Sequence, residues 1–244
     1  MARTFYDSLD LNTDIQLDLS MLEATGELLH DESKNHLIAT RHGTLLVPQW
    51  QQTSPGRFGL KFNQPYPTIE TEHYVDIPAA QTAILNFTAT DYSLAIWFTW
   101  TDTSYSQILF AKYAVDVSGW EAYVTKIGLA ESITVRHHHA ATTPPGSMWP
   151  RTGNYSLGWT PGEWHLWGYS RIGATCQHYR DGQPITTFSD ALVDPESSIA
   201  RDVVIGCRFT HDANWFKGTL HRPRAWSRAL SADEHRLLYR LGYP

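Results

Sequence analysis

The stretch "SLAIWFTW", residues 93–100, constrains the fold most. On a strand, Leu94, Ile96, Phe98 and Trp100 share one face, and Ala95 and Trp97 share the other. A strand apolar on both sides belongs at the centre of a sheet that is covered on both sides. It is one of many such runs. "GTLLV", "GRFGLKF", "HYVDI", "SQILFAKY", "WEAYVTKI", "SITVRHHH", "EWHLWGYSR", "TCQHYRDG", "DVVIGCRF" and "GTLHRPRAWS" are each short, rich in aromatic or β-branched residues, and set apart by Gly, Pro, Asn, Asp and Ser. That pattern predicts an all-β sandwich or barrel. A chain of 244 residues with ten Trp, twelve Tyr and nine Phe buries a full core as one such unit without disulfides or metals.

Local signals refine the pattern. Asp181-Gly182 marks a two-residue hairpin, and Gly59 inside a strand run marks a bulge or a close backbone approach. The longest irregular segment is residues 139–154, "HAATTPPGSMWPRTGN", a length that favours a functional loop. At the C-terminus the periodicity changes. Ser231 and Glu234 form a capping box, and Leu237, Leu238 and Leu241 give the short helix that follows an apolar face. The simplest place for this helix is as a lid over one end of the core.

In order along the chain, the entry segment "LDLSMLEATGELLHDESKNHLIATRHGTL" is followed by "GRFGLKFNQ", "HYVDIP", "FTATDYSLAIWFTW", "GEWHLWGYSR", "CQHYRDGQ", "VVIGCRF" and "FKGTLHRPRAWSRALSADEHRLLY". This series resembles the laminin-G-like branch of the concanavalin A-like lectin/glucanase superfamily, from about Gln16 to Tyr239. The resemblance implies a jelly-roll sandwich of two antiparallel sheets with a short C-terminal helix. It does not imply one function: members of that family are mostly non-catalytic modules that bind glycans, proteins or surfaces, and relatives on the same fold include glycoside hydrolases. One departure stands out: His221 and Arg222 occupy positions near the family's usual acidic residue in the final strand.

Function is read from sites, not from the fold. Glycan binding needs aromatic faces beside short polar groups. Trp149, Arg151, Asn154 and Tyr155 supply these in the long loop, and His211, Asp212 and Asn214 supply them in "HDANWF". Trp159 and Trp215, close to strands, are expected in the core. The alternative, a glycoside hydrolase on the same fold, needs paired carboxylates, for which Glu70, Glu72 and Asp76 on one strand face are the candidates. The second alternative is a purely structural cement protein with no ligand. In "RHHHA", alternation sends His138 away from His137 and His139, which is too few imidazoles on one face for a metal site and is expected as a surface strand end. No cofactor is expected. Calcium is the one candidate ion, with Asp116, Asp212 and Asn214 as possible oxygen donors.

The net charge of −6 and the absence of a basic stripe argue against a nucleic-acid partner. Cys176 and Cys207 are expected as reduced core thiols, a single bridge being the alternative. Residues 1–15 fall outside the family pattern and are expected to form an arm docking on a neighbouring subunit of the same assembly, with the jelly-roll domain over residues 16–244. No secretory signal and no membrane-inserting run is visible. The expected setting is therefore a virion or extracellular surface, as a structural component of an assembled particle such as a phage decoration or tail protein. The sequons at Asn86 and Asn154 are expected to be chance occurrences.

Overall fold

The computed structural model describes residues 9–43, 46–62, 72–101, 106–127, 130–139, 146–148, 151–152, 159–188, 192–211 and 214–242. A short helix α1 (Leu9–Asn12) leads into β1 (Ile15–Asp18), β2 (Leu28–His30), β3 (Ile38–His42), β4 (Gln49–Ser54), β5 (Arg57–Phe62) and β6 (Tyr74–Ile77). The middle of the chain supplies β7 (Tyr92–Trp100), β8 (Gln107–Ala114), β9 (Ser118–Ile127), β10 (Ala130–His139), β11 (Gly146–Met148) and β12 (Arg151–Thr152). The remainder supplies β13 (His165–Ile172), β14 (Thr175–Arg180), β15 (Gln183–Ile185), β16 (Thr187–Phe188), β17 (Val203–Ile205), β18 (Gly218–Trp226) and α2 (Ala232–Gly242).

These strands form two antiparallel sheets. One runs β15-β14-β13-β7-β18-β5-β4, with β1 paired to β18, and the other runs β16-β12-β10-β9-β8-β17-β6-β3-β2, with β11 paired to β10. The arrangement is the expected jelly-roll sandwich. β7 sits between β13 and β18, and every one of its nine residues is buried. Leu94, Ile96, Phe98 and Trp100 face the core between the sheets, which includes Phe110, Trp120, Trp167 and Tyr169. Ala95 and Trp97 face outward into a second cluster with Leu11, Ile15, Leu166, Trp226, Leu230 and Leu238.

That second cluster corrects the expected position of the C-terminal helix. α2 covers the outer face of the first sheet rather than an end of the core, because Ala95 and Trp97 would otherwise expose their apolar face to water. The expected capping box is present: the Ser231 amide donates to Glu234 Oε2 (2.8 Å), and the Glu234 amide donates to Ser231 Oγ (3.3 Å). Beneath the helix, His235 stacks on Tyr179 at 3.8 Å and its Nε2–H donates to Ser170 Oγ at 2.8 Å. Gly168 is what lets the ring in, since a Cβ there would lie 2.4 Å from His235 Nδ1.

From Leu9 onward the N-terminal segment is bound to its own chain. Trp226 Nε1 donates to Leu11 O (2.7 Å), the Ser227 amide donates to Asp14 O, and β1 pairs with β18. Residues 1–8 lie outside the described residues. The positions that depart from the family pattern have structural partners. His221 lies 2.6 Å through Nδ1 from Phe58 O, and Arg222, at φ +49° in the bulge of β18, grips buried Asp18 with two hydrogen bonds of 2.9 and 2.8 Å.

Other local signals divide. Asp181-Gly182 forms the β14–β15 hairpin with both φ values positive. Gly59 answers to a close approach: a Cβ there would come within 2.8 Å of Leu220 O. "GTLLV" forms no strand among its described residues, and its Thr44 and Leu45 lie outside them. The "HHH" run is corrected, because His137, His138 and His139 are all buried. Alternation holds: His137 bonds Tyr92 on the core side, and His138 bonds Glu121 and stacks on Tyr113 on the other. What covers this strand end is the segment after Leu192, whose Val193 carbonyl bonds His137 and whose Glu196 amide donates to His138 O. Neither Cys176 nor Cys207 is in a disulfide; Cys207 is buried and Cys176 half-buried.

Candidate functional site

One end of the sandwich gathers β3 and β7 as they finish and β6, β8, β13 and β18 as they begin. β6 alternates, with Val75 and Ile77 inward and Tyr74 and Asp76 outward. The β3–β6 register sets His42 opposite Tyr74. The two rings stack at 4.8 Å, and His42 Nε2 lies 3.0 Å from Asp76 Oδ1. On its other side Tyr74 stacks on His211 at 4.2 Å with the planes 8° apart, and Trp215 lies tilted at 6.5 Å. Four rings, three of them stacked, and a carboxylate thus form a half-exposed group at this end. Burial, aided by the Asp76 charge, raises the Tyr74 phenol above its usual range, so it remains a neutral hydroxyl.

The loop that carries His211 and Trp215 is tied down at both ends. The His211 amide donates to Arg208 O (2.8 Å), Asn214 Nδ2 donates to Ser106 O (2.9 Å), and the Ile108 amide donates to Asn214 O (2.9 Å). His211 and Asn214 both adopt left-handed φ, at 56° and 55°, a costly conformation retained where surrounding structure enforces it. Phe216 then plunges into the core and meets Phe62 and Phe98 edge-on, at 6.0 and 6.3 Å. Phe98 in turn meets Trp159 edge-on at 4.9 Å, so an aromatic chain links the two sides of this end.

The residues expected at the site are distributed as follows. His211 is in the stack. Asn214 is beside it, with its amide nitrogen spent on fixing the loop. Arg151 lies on β12, opposite Thr134 and Phe188. Trp149, Asn154, Tyr155 and Asp212 lie outside the described residues. Trp159 is buried, as expected of a core residue, whereas Trp215 is only half-buried and joins the stack instead. Tyr74 and His42 were not among the expected site residues. Their signal was the outward alternation of "YVDI", which reads equally as an ordinary solvated strand face.

The carboxylates are occupied differently from a hydrolase pair. Asp76 is held by His42, Glu72 precedes β6, and Glu70 lies outside the described residues. For calcium, Asp116 points toward Arg136 at 3.6 Å while its amide donates to His138 Nδ1. Among the described residues no three His, Cys, Asp or Glu side chains converge as a metal ion would require.

The family described as the concanavalin A-like lectin/glucanases superfamily matches residues 70–234, well over half of the chain. The chain belongs to the concanavalin A-like lectin/glucanases superfamily. No curated protein sequence matches it. Among solved structures it is similar to the binding domain of botulinum neurotoxin serotype C1, at 14% identity and a TM-score of 0.67, over 95% of this chain and 53% of that one. It is similar also to a botulinum neurotoxin type C structure described through its interaction with two ganglioside molecules (13%, 0.64, 95% and 52%). A third is the neurotoxin DC binding domain in complex with rat synaptotagmin II (12%, 0.65, 94% and 52%). The superfamily member described here therefore spans about half the length of those chains, and at such identities the likeness shows the fold.

Proposed function

We propose that this protein is a non-catalytic binding module that attaches to glycans, using the end of the sandwich that carries His42, Tyr74, His211 and Trp215. The observation that carries the reading is the ring stack itself: half-exposed aromatic side chains beside Asp76, on a rigid strand pair and a loop fixed by three backbone-directed hydrogen bonds. Aromatic edges and faces cover the apolar side of a sugar ring, and a carboxylate accepts from its hydroxyls. Of the other expected residues, Arg151 on β12 stands five strands from β6 in the sheet order and lies apart from this surface. The neurotoxin structures that share the fold are described as interacting with gangliosides and with a protein receptor, which agrees with a binding role rather than catalysis.

A single shallow site of this kind binds near the millimolar scale, roughly −4 kcal/mol. Such a module gains from many copies in an array. An assembled particle, such as a phage virion decorated with or tailed by this protein, is the setting we infer, with residues 1–8 left to supply any docking arm. The test is a glycan array probed with a multimerised form of the chain, repeated with Trp215→Ala and His211→Ala. Binding lost in both variants, with the melting temperature kept, supports the reading. Equal binding by parent and variants, or no binding by the parent, overturns it.

A further inference from the structure

A second feature of the same end is unpaired. Trp100 Nε1, Trp159 Nε1 and His165 Nε2 are each shut off from solvent, and none has a hydrogen-bond partner among the described residues. The three side chains are themselves at least nine-tenths buried, and all line one cleft with Phe98, Thr160, Pro161 and Glu163. One orphaned nitrogen is ordinary; three around a single cleft are not, because each carries the full desolvation cost of its group.

The chemistry of the three differs. Both indoles can only donate. His165 approaches Asp181 Oδ2 through Nδ1 at 2.8 Å, and a carboxylate oxygen accepts, so Nδ1 is the donor; in the imidazole form Nε2 then presents a lone pair to the cleft. Asp181 is fixed in turn by the Leu166 amide at 3.0 Å. Glu163 Oε2 stands 3.8 Å from Nε2, beyond hydrogen-bond reach. The cleft thus offers two donors and one acceptor between aromatic walls, with the His165 ring stacked on Trp159 at 5.1 Å.

We infer that this cleft is a ligand subsite for a neutral polyhydroxylated molecule, a sugar ring edge presenting vicinal hydroxyls. A hydroxyl both donates and accepts and so can satisfy all three nitrogens, whereas a carboxylate cannot donate to Nε2 and an ammonium cannot accept from the indoles. Glu163 in the lining also disfavours an anion, and the Arg180 guanidinium over the Trp159 ring (5.8 Å) is paired with Asp181 at 3.5 Å. The cleft is too narrow for a ligand in this structure, and part of its lining comes from the exposed turn Thr160–Glu163. Two backbone bonds hold that turn, Gly162 N–H to Trp100 O (3.0 Å) and Glu163 N–H to Thr160 O (3.1 Å), so ligand entry displaces little packed structure. This inference rests on the glycan-binding reading and gives it a specific subsite and ligand class.

The experiment uses the ¹⁵N-labelled full chain and follows the indole N–H signals of Trp100 and Trp159. They are assigned with Trp100→Phe and Trp159→Phe, or by triple-resonance assignment of the parent should a variant fail to fold. The probes are maltose, lactose, mannobiose and chitobiose, against digalacturonate and sialyllactose. Saturable shifts of both indole signals with at least one neutral sugar, with His165→Phe weakening that sugar's affinity roughly tenfold, are the expected result. If a neutral sugar moves other signals, Trp215 among them, and leaves Trp100 and Trp159 unmoved, the subsite is overturned while glycan binding stands. If the acidic sugars bind there as well as the neutral ones, the ligand class is overturned. If no sugar moves any signal, the inference falls together with the function it rests on.

Discussion

Acid should loosen the docking of α2, and His235 lets the effect be isolated. The ring is buried between Tyr179 and Gly168, and burial pushes its pKa down to about 3, the nearby Glu234 charge opposing only in part. In the unfolded chain the imidazole returns to about 6.5. Because the folded value is the lower one, protons bind the unfolded chain first as pH falls. Stability is therefore lost from about pH 6.5 downward and levels off near pH 3. Between pH 7 and pH 5 the loss from this one group is about 2 kcal/mol. His137 and His221, each pushed down to about 4 by burial, add losses of the same sign and similar size. The assay is urea unfolding of the parent and of His235→Phe, which keeps a ring against Tyr179 but cannot titrate, at pH 7 and pH 5. The parent's loss should exceed the variant's by about 2 kcal/mol. An identical pH dependence in the two proteins would refute the reasoning.

Arg222→Ala leaves the buried Asp18 carboxylate without its bidentate partner and should destabilise the fold by about 3 kcal/mol in urea unfolding at pH 7. The arginine holds the Asp18 carboxyl below its usual range against the opposing effect of burial, so its loss should also raise the pH at which acid unfolding begins. Gly168→Ala places a methyl against His235 and should cost about 1–3 kcal/mol, read as a lower melting temperature with the near-ultraviolet signal of Trp97 altered. Glu234→Ala removes half of the capping box and the bond from Arg228, for a smaller loss of about 1 kcal/mol by the same unfolding assay.

How far the sequence discloses this protein depends on which force places each residue. "SLAIWFTW" is legible because burial on both faces leaves its mark on every residue, and Ser231 with Glu234 is legible because capping is local. β4, "QWQQTS", is an exposed edge strand whose polar residues leave no alternation to read, and β2 is only three residues long. The "HHH" run misleads because its cover comes from Val193 and Glu196, more than fifty residues further on. The same holds for the site. His211 is visible as part of a polar aromatic loop, but its neighbours Tyr74 and His42 come from strands β6 and β3, and only the sheet register brings them together. The orphaned nitrogens of Trp100, Trp159 and His165 leave no sequence signature at all, since a tryptophan with an unpaired N–H looks like any other core residue.

The central claim is that the sandwich end carrying Tyr74, His211 and Trp215 is a glycan-binding surface. The most direct measurement is the affinity of the unmodified chain for the best glycan-array ligand, by isothermal titration, beside that of Trp215→Ala. The account predicts millimolar-scale binding by the parent, weakened roughly tenfold or more in the variant with its melting temperature preserved. Undiminished affinity in Trp215→Ala, or hydrolysis of the glycan by the parent, would contradict it.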